Sequence, residues 1–141
     1  MARLVLTNVE VTVAGVSLAD HIASITLGST YDVLETTAFA GGNVPQAAKE
    51  RIAGLVDNSV TLEFHQDFAA ADVEATIYPL LGTVAAIKVQ PVNGAISAQN
   101  PEYQFNALIS EWTPLNGAVG ELSTASVTWP ITGQIVKDVT P

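Results

Sequence analysis

The chain has no cysteine, one methionine and only five lysine or arginine residues in 141. Without cysteine it forms no disulfide and no thiolate metal site, and its folding is indifferent to the redox state of its surroundings. The shortage of cations is as informative. Fourteen carboxylates against five cations leave a formal charge of −9, and Arg3, Lys49, Arg51, Lys88 and Lys137 are scattered rather than clustered. Nucleic-acid affinity comes largely from clustered Lys and Arg displacing counterions, so phosphate binding is disfavoured as the main task, as is an anionic membrane surface for the same reason. By itself the negative charge implies no more than solubility. Long apolar runs are missing too: polar residues interrupt each one before membrane-spanning length, and Met1 to Asn8 lacks the apolar core of a signal peptide. The expectation is a protein made and folded in the cytoplasm, with no membrane partner.

Present instead is a large apolar fraction, 48%, rich in Val, Ile, Leu and Ala, with charged residues at only 13%. The length suits one domain, taken as residues 1–141, because two cores cut from it would each be marginal. So few charges leave much of the surface to Thr, Ser, Asn, Gln and Ala, or to a neighbouring subunit, which favours an oligomer.

Hydrophobic periodicity gives strands. Val9, Val11 and Val13 alternate with Glu10 and Thr12, and Ala14-Gly15 supplies a turn. Ile22 to Leu27 reads as a second strand. Val60 to Phe68 alternates most clearly, with Val60, Leu62, Phe64, Gln66 and Phe68 on one side and Thr61, Glu63, His65 and Asp67 on the other. Further strands are expected near Thr83–Gln90, Tyr103–Trp112 and Gly120–Ile131, the last with Val127, Trp129 and Ile131 facing one way. Between Ala69 and Leu81, Val73, Ile77 and Leu80 or Leu81 recur at helical spacing, Asp72 and Glu74 suit the positive end of a helix dipole, and Pro79 and Gly82 end or kink it. Residues 28–58, broken by Gly41-Gly42, Asn43, Pro45 and Gly54, read as a long inter-strand loop of the kind that carries function. The fold class is mainly β: a β-sandwich or barrel of six or seven strands with one flanking α-helix.

Catalytic chemistry finds no footing. His21 and His65 have no HxH or HxxxH spacing around them, no serine sits in a G-x-S-x-G elbow, and no glycine-rich loop leads from a strand into a helix. Asp32 with Glu35, and Asp72 with Glu74, are explained by a solvated loop and a helix start. Tyr31, Tyr78, Tyr103, Trp112 and Trp129 fall in separate elements without basic flanks, which makes core packing the better reading than a stacking platform. The expectation is no enzyme, no catalytic or metal residues and no cofactor.

The order of several phrases carries more information than any one motif. TNVEVTVAGVSLADHIASITL, YDVLETTAF, RIAGLVDNSVTLEFHQDF, VEATIYPLLG and NPEYQFNALISEWTPLNGAVGELSTASVTWPITG together span nearly the whole chain. In that order they resemble the major tail tube proteins of long-tailed bacteriophages, particularly those of actinobacterial hosts. The resemblance implies a structural virion protein: six copies in a ring, rings stacked into a hollow tube, loops bridging protomers and rings, and DNA passing through without specific binding. It implies as partners further copies of the chain and other tail proteins (tape measure, terminator and tail tip), and a final location in the virion tail. On this reading the 28–58 loop is an assembly loop, with Tyr31, Asp32, Glu35, Phe39, Val44 and Arg51 as contact candidates. A ring of six would carry 6 × −9 = −54 formal charges, and lumen-facing carboxylates, with Glu10, Glu63 and Glu111 as candidates, would repel DNA within the screening length of about 8–10 Å. Other β virion proteins, the tube subunit of a contractile injection system, and a monomeric binding domain are the alternatives.

Overall fold

The computed structural model describes residues 3–38, 48–70 and 72–140. Seven strands, β1 Glu10–Val13, β2 Val16–Ser17, β3 Ile22–Glu35, β4 Arg51–His65, β5 Val84–Gln90, β6 Glu102–Leu108 and β7 Thr124–Asp138, form one antiparallel sheet in the order β2-β1-β5-β6-β7-β4-β3. One helix, α1 Val73–Ile77, runs into a 3₁₀ turn at Tyr78–Leu80. The sheet curls until its ends approach: Val9–Val11 and Ile22–Ile25 line one shared cavity.

Alternation in sequence becomes alternation in burial. Val11 and Val13 of β1, Val60, Leu62 and Phe64 of β4, Ala85 and Ile87 of β5, Phe105 and Ala107 of β6, and Val127, Trp129 and Ile131 of β7 face one continuous core. Thr61, Glu63, Ser126 and Thr128 lie on the opposite face. At the centre Trp129 is fully buried, its ring centroid 6.1 Å from Phe64, and Trp112 meets Phe64 edge-on at 5.4 Å. The indole of Trp129 donates to the Glu111 carbonyl at 2.9 Å and that of Trp112 to the Glu74 carboxylate at 2.7 Å, so neither buried N–H lacks an acceptor.

The helix is shorter than its periodicity suggests. Asp72 is the N-cap residue and Pro79 already lies in the 3₁₀ turn, so α1 presents only Val73 and Ile77 to the core, with Leu80 packed at its edge and Leu81 exposed. Phe68, assigned to the inner face by alternation, is also exposed, because β4 ends at His65. The strand expected at Tyr103–Trp112 stops early as well: β6 ends at Leu108, which leaves Glu111 and Trp112 beyond it.

Two glycines shape the sheet. Ala14 and Gly15 both have positive φ (50° and 86°), the combination a tight two-residue β1–β2 turn requires. Gly133, with φ 86°, sits where the β6–β7 register slips between Gln104 and Asn106, so β7 bulges within its pairing to β6, three residues past its last pairing with β4. Gly133→Ala is expected to cost about 1–2 kcal/mol, since any Cβ is disfavoured at that φ even with open space around it. Gly28→Ala, at ordinary φ and with nothing near its Cβ, should stay within about 0.5 kcal/mol. Urea titration of the two variants compares them directly.

Candidate assembly surface

Residues 28–35 and 51–58, expected as parts of a loop, are strand. They form the outer half of a long β3–β4 hairpin, paired from Ile22 opposite Phe64 to Glu35 opposite Arg51. Pairing continues past the strands, where the Thr36 amide donates to the Glu50 carbonyl at 2.8 Å and the Glu50 amide to the Thr37 hydroxyl at 2.8 Å. Sequence reasoning missed this because strand alternation is visible only where one face is buried, and here residues 28–35 are exposed throughout while 51–57 are at most partly covered. Phe39 and Val44 lie outside the described residues.

What makes the hairpin unusual is its lack of neighbours. β7 pairs with β4 only from Ser59 to His65, ending at Pro130, which has no N–H to continue the ladder. Beyond that point, among the described residues, β4 has β3 alone, and β3 is the last strand of the sheet. The result is a two-stranded ribbon with both edges open, a form barely stable alone in water and prone to pair with another chain. Its root is fixed by buried Asn58, whose side-chain amide donates to the Gly133 carbonyl at 3.1 Å.

The ribbon is apolar as well as open. Tyr31, Val33, Leu34, Ile52 and Leu55 are all at least half exposed, Leu55 at 80%. Asp32 and Leu34 lie against Gly54, the one glycine of the ribbon where a side chain would crowd its neighbours, at 3.1 Å from the Asp32 Cβ. Ile25 and Leu27 of β3 border a largely apolar trough of about 430 Å³ lined also by Leu4, Leu6, Ile135 and Lys137. A second exposed apolar segment, Leu115, Val119 and Leu122, lies in the connection before β7. Of the contact candidates, Tyr31, Asp32, Glu35 and Arg51 thus share the ribbon, whereas Val33, Leu34, Ile52 and Leu55 were not singled out.

The three carboxylates considered for a lumen are not equivalent. Glu63 is exposed on β4 opposite Ser126, and Glu111, off the strand to which it was assigned, bonds through its carboxylate to the Thr128 amide at 2.7 Å. Both therefore border the exposed side chains of Ser126 and Thr128 on β7. Glu10, on β1, pairs opposite Gln90 and accepts the Ser17 hydroxyl. Elsewhere three ligand-type side chains meet that no sequence spacing announces: His21 Nε2 stands 3.0 Å from Asp72 Oδ1 and 3.5 Å from Asp67 Oδ2.

No family model matches the chain, and no curated protein does. Among solved structures, the sheath–tube complex of an extracellular contractile injection system in its extended state contains a similar chain. The TM-score is 0.70 at 10% identity, over 98% of this chain and 93% of that one. A correspondence of that extent at so low an identity establishes a shared fold: this chain has the fold of a subunit of that complex.

Proposed function

We propose that the chain is the repeating subunit of a tail-type tube, assembling as rings of six that stack around a channel. The observation that carries this reading is the bare apolar β3–β4 ribbon with two open edges, on a fold that a subunit of a sheath–tube complex shares over nearly its full length. Such a ribbon is costly in a monomer and useful in a polymer, where main-chain hydrogen bonds and apolar contacts to the next copy stabilise it together. On this reading the chain is not an enzyme, its partners are copies of itself and the proteins that cap and fill a tail tube, and its place is a phage tail whose lumen conducts DNA. The shared fold with a contractile injection system favours one second reading, a tube subunit of such a system. The two differ in cargo and in the presence of a sheath, not in the assembly.

Negative-stain microscopy of the purified protein tests the proposal. Rings, or tubes with a central channel, are expected; featureless particles of monomer size at every concentration and salt, also beside other tail components, would count against it. A gel-shift titration with duplex DNA at physiological salt should show no binding, since no cluster of cations exists to displace counterions. Salt-sensitive micromolar binding would contradict the non-adhesive conduit while leaving the assembly itself to stand.

A further inference from the structure

We propose that His21, Asp67 and Asp72 form a site for a divalent metal ion of the class that imidazole and carboxylate bind together, zinc foremost, clipping the root of the β3–β4 hairpin. The three donors come from three segments. His21 ends the 3₁₀ turn Ala19–His21 directly before β3, Asp67 lies two residues beyond β4, and Asp72 is the N-cap residue of α1. All three are half-buried, and their ligand atoms lie within 4.8 Å of one another.

The separations suit a shared ion as well as the hydrogen bond they allow between His21 and Asp72. Ligands about 2.0–2.2 Å from zinc stand roughly 3–3.5 Å apart in octahedral or tetrahedral arrangements, and His21 Nε2 lies 3.0 Å from one carboxylate oxygen and 3.5 Å from the other. A single N–H on Nε2 serves one acceptor well. Here two carboxylates turn toward the same nitrogen, and a third, Asp20, stands 3.8 Å away. Among the described residues no Lys or Arg pairs with any of these carboxylates. A divalent cation held by neutral imidazole would balance Asp67 and Asp72 together. The carboxylates are also pre-set: the second oxygen of Asp67 accepts the Ala69 amide at 2.8 Å, and Asp72 makes no side-chain capping bond to α1. Because His21 and Asp67 flank the two chain ends of the hairpin, the ion would fasten the base of the hairpin, next to the core. This site stands or falls independently of the tube reading.

Isothermal titration of the metal-stripped full chain with ZnCl₂ tests it. Expected is one ion per chain at micromolar affinity or better, weakened at least tenfold in His21→Ala and in Asp67→Asn and unchanged in His65→Ala. Cobalt(II) should give a visible ligand-field band that the same two variants lose. At a hundredfold excess over Kd the melting temperature should rise by roughly 5–10 °C. If His21→Ala fails to fold, Asp67→Asn, which keeps the His21–Asp72 hydrogen bond, must still lose affinity. No binding, binding retained without His21, or equal binding of magnesium and calcium would overturn the site, the last by reducing it to an acidic surface.

Discussion

Val33→Asp combined with Leu55→Asp is expected to abolish assembly while leaving the subunit folded. Both residues project from the ribbon, 67% and 80% exposed, and touch nothing in the core of their own chain. Surface changes of that kind usually alter stability by no more than about 0.5 kcal/mol, so the melting temperature of the isolated subunit should hardly move. In the proposed assembly the same residues would be covered. Burying a Val or Leu side chain contributes roughly 1.5–3 kcal/mol, and a carboxylate in its place adds an unpaired buried charge. Two such losses raise the concentration needed to assemble at least a hundredfold. Light scattering against protein concentration, beside circular dichroism of the same samples, separates the two effects. Assembly at wild-type concentrations would remove the ribbon from the interface, whereas a large drop in melting temperature would make its residues part of the subunit core.

The opposite outcome is expected at the centre of the sheet. Trp129→Ala should destabilise the subunit by about 3–5 kcal/mol, the usual cost of emptying a buried aromatic site, against a total stability on the order of 5–15 kcal/mol. Trp129 is fully buried, packs against Phe64 and ties the Glu111 segment to β7 through its indole N–H. Its loss opens a cavity and leaves the Glu111 carbonyl short of a donor. The variant should therefore unfold at far lower urea and fail to assemble because it is unfolded, which distinguishes it from the ribbon variant. A shift below about 1 kcal/mol would mean that the core is centred elsewhere.

The sequence was most legible where burial selects one face. Val9 to Val13, Val60 to Phe64 and Val127 to Ile131 alternate because their even or odd positions meet the core, and each became a strand with the expected inward residues. The ribbon was illegible for the complementary reason. With both faces open inside one chain over most of its length, Ser29, Thr30, Asp32 and Asp57 are tolerated among apolar residues, and Gly28 and Gly54 resemble loop punctuation rather than strand. A long helix was overread from alanines at 69–71, although Asp72 and Pro79 bracket only a short one. His21, Asp67 and Asp72 are far apart in sequence and at no metal-binding spacing. Only the meeting of the turn before β3 with the segment after β4 brings them together.

Sedimentation velocity over a wide range of concentration, on the wild-type chain alone and with other tail components added, measures the central claim most directly. A subunit of 14.7 kDa should give way to a species of six subunits, 6 × 14.7 or about 88 kDa, and to polymers built in multiples of it. A single 14.7 kDa species under all of these conditions, or a closed dimer that grows no further, would contradict the tube assembly.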